Sequence, residues 1–339
     1  MQSDGTRSSV GQASEHSDEH KAMLRGARKL VDVCAAVKPG ESVVIITDPE
    51  TRSVAEAIVA AAAEREADTS LIVMATRRRD GSEPPPPVAA AMRSADVIFT
   101  PVAVSITHTA AIQEACAAGA RAVVLTGFTP RMMQQGGLNA DFVALKPICE
   151  RVAGYFDRGE HVRVTTPAGT DITLSIAGRR GIAKTCIVAP GEFSPVPDVE
   201  ATVSPVLGSA EGVIVADASI PYLGIGVLDT PVRFEVHQGR ITAVSGGREA
   251  EILRNAWAAM NDPNVYNIAE LGIGLNPECR LTGDMLEDEG CWGTVHFGTG
   301  TSITLGGEVK AACHYDLLMH RATIEVDGIA ILRDGELMV

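Results

Sequence analysis

The run SVVIITDPETRSVAEAIVAAAAEREADTSLIVMA, residues 42–75, decides the fold class of the first half of this chain. SVVIITD (42–48) and SLIVMA (70–75) are continuous apolar segments, which is typical of strands buried on both faces. The alanine-rich segment between them, 51–67, predicts a long helix. A strand, a helix and a second buried strand in this order indicate a parallel sheet covered by helices.

The same alternation continues on both sides of this unit. Apolar residues at helical spacing predict a helix from His20 to Val37, which the Pro39-Gly40 pair ends. The further predicted elements are a helix over 88–94, a strand over 96–101, a helix around 108–118, a strand over 121–127 and a helix over 140–158. We therefore predict an α/β N-terminal domain with a mostly parallel sheet over 19–158, after a disordered polar leader at 1–18. Neither a Gly-x-Gly-x-x-Gly motif nor a P-loop is present to indicate a bound nucleotide.

The second half of the chain has a different hydrophobic period. Segments such as HVRVTTP, DITLSIAG and RFEVHQGRITAVSG alternate apolar and polar residues, as half-buried strands do. Gln238-Gly239, Asp327-Gly328 and Asp334-Gly335 are hairpin-turn signals between such segments. One helix is predicted over 248–263. We expect an α+β C-terminal catalytic, metal-binding domain with antiparallel sheet over 159–339.

Composition excludes several classes of partner. The 339 residues carry a net charge of −14, so an extended basic surface for nucleic acid or an anionic membrane is not expected. No apolar run reaches the length of a membrane span, and no apolar segment of a signal peptide occurs at the start. Seven cysteines without a Cys-x-x-Cys pair argue against a disulfide framework. These features together predict a protein of the reducing cytoplasm, without nucleic-acid or membrane partners.

Candidate metal ligands lie in the stretch AELGIGLNPECRLTGDMLEDEGCWGTVHFGTGTSITLGGEVKAACHYD, residues 269–316. His314 and Asp316 are two residues apart, so on a strand they face the same way at about 7 Å. An imidazole and a carboxylate in this arrangement can share one divalent ion. Glu270 and His296 lie among glycines in the same stretch and could add further ligands.

Each of these residues also has an ordinary structural explanation. Glu270 could form a buried salt bridge with Arg280, and His296 could be a core histidine bonded to backbone. Glu200, between prolines in SPVPDVEATVSP, is by itself more typical of an exposed surface residue. His320 has the same strand parity as His314 and is the reserve ligand.

The acidic run Glu287-Asp288-Glu289 is typical of a solvated loop, and His108 is more typical of a helix start than of a functional site. No Gly-x-Ser-x-Gly elbow is present to indicate a serine hydrolase. The metal site is therefore the hypothesis on which the predicted function depends.

The motifs ELGIGLNP, LEDEGCWGTVHFGTG and HYD resemble the catalytic half of the aminopeptidase T/aminopeptidase S metallopeptidase family. The proline-flanked loop PVPDVEATVSP is similar to a loop of that family that carries a further metal-binding Glu. The resemblance implies a metal set made up of Glu200, Glu270, His296, His314 and Asp316. It also implies one or two divalent ions and a homo-oligomer. Ile303 departs from the family pattern, which has a tyrosine at that position.

A related branch, the 2,5-dihydroxypyridine 5,6-dioxygenases, is also similar to this chain, notably in MNDPNVYNIAELGIG and SAEGVIVADASI. In that branch the resemblance implies one Fe(II), held at the positions of Glu270, His314 and Asp316, with a histidine where this chain has Glu270.

Because position 270 is a carboxylate, the sequence favours a metal-dependent hydrolase that cleaves a C–N bond of a small amide or peptide. Zn²⁺, Mn²⁺ or Co²⁺ would activate a water, with Glu200 or Glu270 as its base. The alternative is a mononuclear Fe(II) ring-cleaving dioxygenase. A binding protein with a degenerate site is the third hypothesis.

Overall fold

The computed structural model describes residues 21–339; the predicted leader and the first residue of the first predicted helix lie outside them. Its α-helices beyond the N-terminal segment are α1 Arg52–Ala63, α2 Pro86–Arg93, α3 Ala110–Ala117, α4 Phe142–Arg158, α5 Gly247–Met260 and α6 Met285–Asp288. Its strands are β1 Ser42–Thr47, β2 Asp68–Val73, β3 Val97–Val102, β4 Arg121–Thr126, β5 His161–Thr165, β6 Asp171–Ser175, β7 Ile182–Lys184, β8 Phe193–Pro195, β9 Glu200–Val203, β10 Glu211–Ala216, β11 Ser219–Ile220, β12 Gly226–Val227, β13 Val232–His237, β14 Arg240–Ser245, β15 Ile268–Gly274, β16 Val295–Gly300, β17 His314–Met319, β18 Thr323–Val326, β19 Ile329–Arg333 and β20 Glu336–Leu337.

The chain forms two compact units. The first contains residues up to Asn139 together with Ile187–Pro195, and the second contains Ala140–Cys186 and Val196–Val339. This division differs from the predicted boundary near residue 158, because α4 packs against β7 and β9 of the second unit. The return of Ile187–Pro195 to the first unit has no counterpart in the sequence-based division.

The first unit is built on a five-stranded parallel sheet in the order β2-β1-β3-β4-β8. Strands β1, β3 and β4 are buried along almost their whole length, which explains their continuous apolar sequences. Strand β2 lies at the edge and is partly exposed. The helices α1, α2 and α3 connect successive strands, so the predicted α/β architecture of this half is confirmed.

The second unit contains two main antiparallel sheets. The larger has the order β14-β13-β10-β6-β5-β18-β19-β20, and the smaller has the order β17-β16-β15-β9-β7. The three predicted hairpin dipeptides join β13 to β14, β18 to β19 and β19 to β20, with positive φ at both residues of each pair. This conformation is the one that a two-residue hairpin turn requires. Antiparallel sheet in this half is therefore confirmed.

Within residues 21–339, no helix combines the length and the apolar composition needed to cross a bilayer.

Burial on both faces makes the interior strands of the first unit the sensitive part of its core. Ile46 in β1 is fully buried, whereas Val73 in the edge strand β2 is 45% exposed. We expect Ile46→Ala to lower the free energy of unfolding by about 2–5 kcal/mol, because it leaves a cavity. The matched change Val73→Ala should cost less than about 1 kcal/mol. Urea unfolding followed by far-ultraviolet circular dichroism measures both, and equal losses would contradict this description of the core.

Candidate metal centre

The smaller antiparallel sheet, which we call the site sheet, collects the candidate ligands on one face. Its cross-strand pairs place Lys184 opposite Glu200, and Gly298 between Glu270 and Asp316. Residues that lie directly opposite each other, or two apart along a strand, share a face. The functional side chains on this face are Lys184, Glu200, Thr202, Glu270, His296, His314 and Asp316.

Two glycines on the same face leave space for the imidazole rings. A Cβ at Gly272 would lie 2.1 Å from His296 Nε2, and a Cβ at Gly298 would lie 2.7 Å from His314 Nε2. Neither glycine has a positive φ, so the backbone conformation alone does not require glycine there. The imidazole rings that lie over Gly272 and Gly298 therefore explain one glycine in each of the runs LGIG and FGTG.

A hydrogen bond to the backbone orients the His314 ring toward two carboxylates. Its Nδ1 donates to the carbonyl oxygen of Thr301 at 2.8 Å, which leaves Nε2 facing Glu270 and Asp316. Nε2 lies 2.9 Å from Glu270 Oε2 and 3.3 Å from Asp316 Oδ1. The His314 side chain is 20% exposed and both carboxylates are 3% exposed. We call these three residues the triad; one donor atom of each lies within 4.8 Å of the others.

A second donor group shares Glu270 with the triad. Donor atoms of Glu200, Glu270 and His296 lie within 4.8 Å of one another, and His296 Nε2 is 3.1 Å from Glu200 Oε2. A lysine is already present beside this group. The ammonium of Lys184 contacts Glu200 Oε1 and lies 3.9 Å from Glu270 Oε1.

Hydroxyl groups hold the carboxylates of the triad in position. The Tyr222 hydroxyl donates to Asp316 Oδ2 at 2.7 Å and lies 3.1 Å from Glu289 Oε1. The Thr202 hydroxyl contacts Glu270 Oε1. Outer contacts of this kind fix the orientation of metal-binding side chains.

The carboxylates raise the pKa of both histidines and of the lysine. Burial lowers the pKa of His296, but Glu200 outweighs that effect and raises it to about 9. Burial likewise opposes the charge on His314, whereas Asp316 and Glu270 raise its pKa well above the usual range. The pKa of Lys184 is raised well above its ordinary value, since Glu200 and Glu270 outweigh burial. Without an ion, protons on these groups balance the carboxylates.

The pKa values of the acidic groups around the centre shift in two directions. Burial raises the pKa of Glu270, but Lys184 and His314 lower it to about 2. The pKa of Asp198 is raised well above the usual range by burial and by Glu200. Burial and Asp316 do the same to the pKa of Glu289. The surroundings therefore favour the ionised form of Glu270 and the protonated forms of Asp198 and Glu289.

The donor set fits a divalent metal ion. Asp316 Oδ1 and Glu200 Oε2 are buried and accept no well-aligned hydrogen bond from the described residues, although His314 Nε2 lies 3.3 Å from the first and His296 Nε2 3.1 Å from the second. Poorly satisfied buried oxygens are costly in a folded protein, and a coordinated cation would satisfy them. Imidazole nitrogen and carboxylate oxygen suit Zn²⁺, Mn²⁺, Co²⁺ and Fe²⁺. A bound ion would take the place of the proton on His314.

Comparison with known proteins assigns the chain to a family. Residues 23–339 match the sequence family described as NicX, 2,5-dihydroxypyridine 5,6-dioxygenase. The chain belongs to this family. A curated relative, the 2,5-dihydroxypyridine 5,6-dioxygenase of Pseudomonas putida KT2440, is 32% identical over 142 residues. That match covers 38% of this chain and 40% of the relative.

Two solved structures share the fold of this member of the dioxygenase family. The structure of 2,5-dihydroxypyridine dioxygenase from Pseudomonas putida KT2440 has a TM-score of 0.79 at 19% identity, over 94% of this chain and 98% of that one. Wild-type AmpT from Thermus thermophilus has a TM-score of 0.69 at 15% identity, over 94% and 99%. The resemblance to both branches, expected from the sequence motifs, is confirmed.

The five residues predicted from the sequence as ligands lie together on the site sheet, whereas the reserve residue does not. His320 is exposed beyond the end of β17 and belongs to neither donor group. Two other expectations were wrong. Glu200 is fully buried, because it lies in the middle of the sheet between β7 and β15. The run 287–289 is also buried, and Asp288 accepts hydrogen bonds from Ser219, Thr282 and Gly283.

Sequence analysis missed Lys184, Thr202, Tyr222 and Glu289 as members of the centre. Glu270 was expected to pair with Arg280 if it bound no metal, yet its partners are Lys184 and His314. Thr202 lies in the motif PVPDVEATVSP and Glu289 in LEDEGCWGTVHFGTG, whereas Lys184 and Tyr222 lie in none of the motifs. Only the alternation of ATV after Glu200, which puts Thr202 on the same face, could have identified one of them.

The glycine beneath His314 provides a test of the site geometry. We expect Gly298→Ala to push the His314 ring away from Glu270 and Asp316, and to weaken binding of a divalent ion by about tenfold or more. Gly154→Ala is the matched control, since the added Cβ would meet only the flexible end of Arg158. Calorimetric titration with Zn²⁺ measures both variants. Unchanged affinity in Gly298→Ala would contradict the assignment of His314 as a ligand.

Proposed function

We propose that this chain is a mononuclear Fe(II) dioxygenase that opens a dihydroxylated pyridine ring. The observation that carries the proposal is that His314 Nε2 lies within 3.3 Å of both Glu270 and Asp316. The protein belongs to the 2,5-dihydroxypyridine 5,6-dioxygenase family. The proposed activity differs from the hydrolase that the sequence favoured. The sequence favoured a hydrolase because position 270 is a carboxylate and not the histidine of the dioxygenase branch. In the structure, the Lys184 ammonium lies 3.9 Å from Glu270 Oε1 and offsets the additional negative charge of this carboxylate.

Glu270, His314 and Asp316 would hold the iron as a variant of the facial triad with one imidazole and two carboxylates. Iron in such a site supplies the redox chemistry by which O₂ reacts with an electron-rich ring. Both oxygen atoms enter the product as the ring C–C bond breaks, so no external reductant is consumed. The His314 side chain is 20% exposed, so the triad is not completely closed to solvent.

The surrounding side chains keep the triad in one geometry. Thr301 fixes the tautomer of His314, and Tyr222 holds one oxygen of Asp316 so that the other remains available. Thr202 binds Oε1 of Glu270, which directs Oε2 toward the imidazole. These residues would orient ligands without contacting the substrate. The Glu200 carboxylate, which lies 3.1 Å from His296 Nε2 on the same face, is the nearby group that could accept a proton from a ring hydroxyl.

The expected metal content is one iron per chain. Protein prepared with Fe(II) under anaerobic conditions should consume one O₂ for each 2,5-dihydroxypyridine when oxygen is admitted, with no reductant present. Iron analysis and an oxygen electrode measure the two ratios. Two Zn²⁺ or Mn²⁺ ions per chain together with anaerobic amide hydrolysis would instead overturn the proposal.

Removing a triad member should remove iron and activity together. Glu270→Ala, His314→Ala and Asp316→Ala are each expected to lower iron affinity by more than the roughly 10–100-fold loss that outer-shell changes cause. The matched control is His237→Ala, since His237 pairs with Glu211 on the exposed surface of the same unit. Iron retained at wild-type affinity in all three variants would refute the ligand assignment.

A metal-dependent hydrolase is the second candidate, and the specific observation in its favour is the second donor group. Glu200, Glu270 and His296 could hold another ion beside the triad, with Glu270 between the two. Two ions in such an arrangement could activate a water for attack on an amide. The ion pairs that Lys184 makes with Glu200 and Glu270 argue against it.

A further inference from the structure

Lys184 is a residue of the centre to which neither candidate function assigns a catalytic or metal-binding role. It is the last residue of β7, at the edge of the site sheet, and the register places it directly opposite Glu200. Its ammonium contacts Glu200 Oε1 and lies 3.9 Å from Glu270 Oε1. The side chain is 21% exposed, whereas both carboxylates are almost fully buried. The lysine therefore brings a positive charge from the sheet edge to two buried acids.

The two carboxylates that Lys184 reaches are two of the three members of the second donor group. A second divalent ion would need oxygens of Glu200 and Glu270, and Oε1 of each already faces the ammonium. A lysine ammonium is a compact point charge and can occupy a position that a small cation would otherwise take. Lysine and a second ion would thus compete for the same oxygens.

The Lys184 ammonium lies beside buried carboxylates that a second ion would share. Glu200, Glu270 and Asp316 are all buried on one face of the site sheet, and the ammonium contacts the first and lies 3.9 Å from Oε1 of the second. A second divalent ion beside the ammonium would bring further positive charge into the same buried space, which is unfavourable.

The two oxygens of Glu270 are divided in the same way. Oε1 faces Thr202 and Lys184, and Oε2 faces His314. Glu270 can therefore offer Oε2 to an ion in the triad while Oε1 keeps its contacts with Thr202 and Lys184. A bridging role for Glu270 between two ions would require Oε1 to leave these partners.

We infer that Lys184 occupies the place of a second divalent cation and so limits the centre to one metal ion. The inference rests on the proposed function, because it takes Glu270, His314 and Asp316 as the ligands of that single ion. It assigns to Lys184 the choice between a one-metal and a two-metal centre on the same donor residues.

The test counts metal ions in variants that lack the ammonium. Full-length wild type and the variants Lys184→Met and Lys184→Gln are saturated with Zn²⁺, desalted and analysed by elemental mass spectrometry. We expect one Zn²⁺ per chain in wild type and two in each variant, with the second ion bound at least about a hundredfold more tightly than in wild type. Mn²⁺ loading followed by electron paramagnetic resonance should give a spin-coupled pair in the variants alone.

Two controls separate charge from size and from folding. Lys184→Arg keeps the charge and should keep one ion per chain. Adding Glu200→Gln to Lys184→Met removes a donor of the second group and should restore one ion. Far-ultraviolet circular dichroism compares the secondary structure of each variant with wild type, and Lys184→Gln, which can still hydrogen-bond Glu200, serves if Lys184→Met does not fold.

The outcomes distinguish this inference from the proposed function. Wild type with one ion and both neutral variants also with one ion would overturn the inference and leave the proposed function standing. Two ions in wild type would overturn the inference and support the hydrolase. No ion in wild type would refute the triad itself, and with it the premise on which the role of Lys184 depends.

Discussion

Burial of three carboxylates on one face of a sheet is the constraint on which the second unit depends. Glu200, Glu270 and Asp316 are at most 3% exposed, and a buried carboxylate without a partner costs several kcal/mol. Every unusual feature of the site sheet supplies positive charge or hydrogen-bond donors to these groups. Two imidazoles, an edge lysine and the hydroxyls of Thr202 and Tyr222 converge on them. A divalent ion would complete the compensation.

The same constraint explains the composition of the central strands. Large side chains beside the acids would exclude the imidazoles, so glycine occupies positions 272 and 298 while functional residues flank them. The opposite face of these strands carries apolar residues such as Phe297 and Leu317, both fully buried. One sheet thus provides a hydrophobic core on one side and a polar centre on the other, which the two-residue period of a strand permits.

Family membership and donor geometry are the grounds on which we propose a single ion and ring cleavage, yet the same face carries a second donor group. The two structural neighbours, a dioxygenase and AmpT, have this fold in common, and fold alone does not fix chemistry. We propose that the number of divalent ions bound beside Glu270 distinguishes ring cleavage from hydrolysis in this chain. The Lys184 ammonium takes one of the two cation positions, so that one metal ion is bound.

The sequence by itself determined the classes of both halves and suggested Glu270, His296, His314 and Asp316 as candidate ligands, and the family resemblance of its motifs added Glu200. Buried parallel strands are apolar throughout and hairpin turns need particular dipeptides, so these features are local and could be predicted; the motifs around Glu270, His296 and His314 were equally local. Tertiary structure decided which unit α4 and Ile187–Pro195 join, and it showed Glu200 and the 287–289 run to be buried. It also placed Lys184 opposite Glu200. Burial and strand register arise from pairing between segments far apart in the chain, and no local pattern records which cation will meet a given carboxylate.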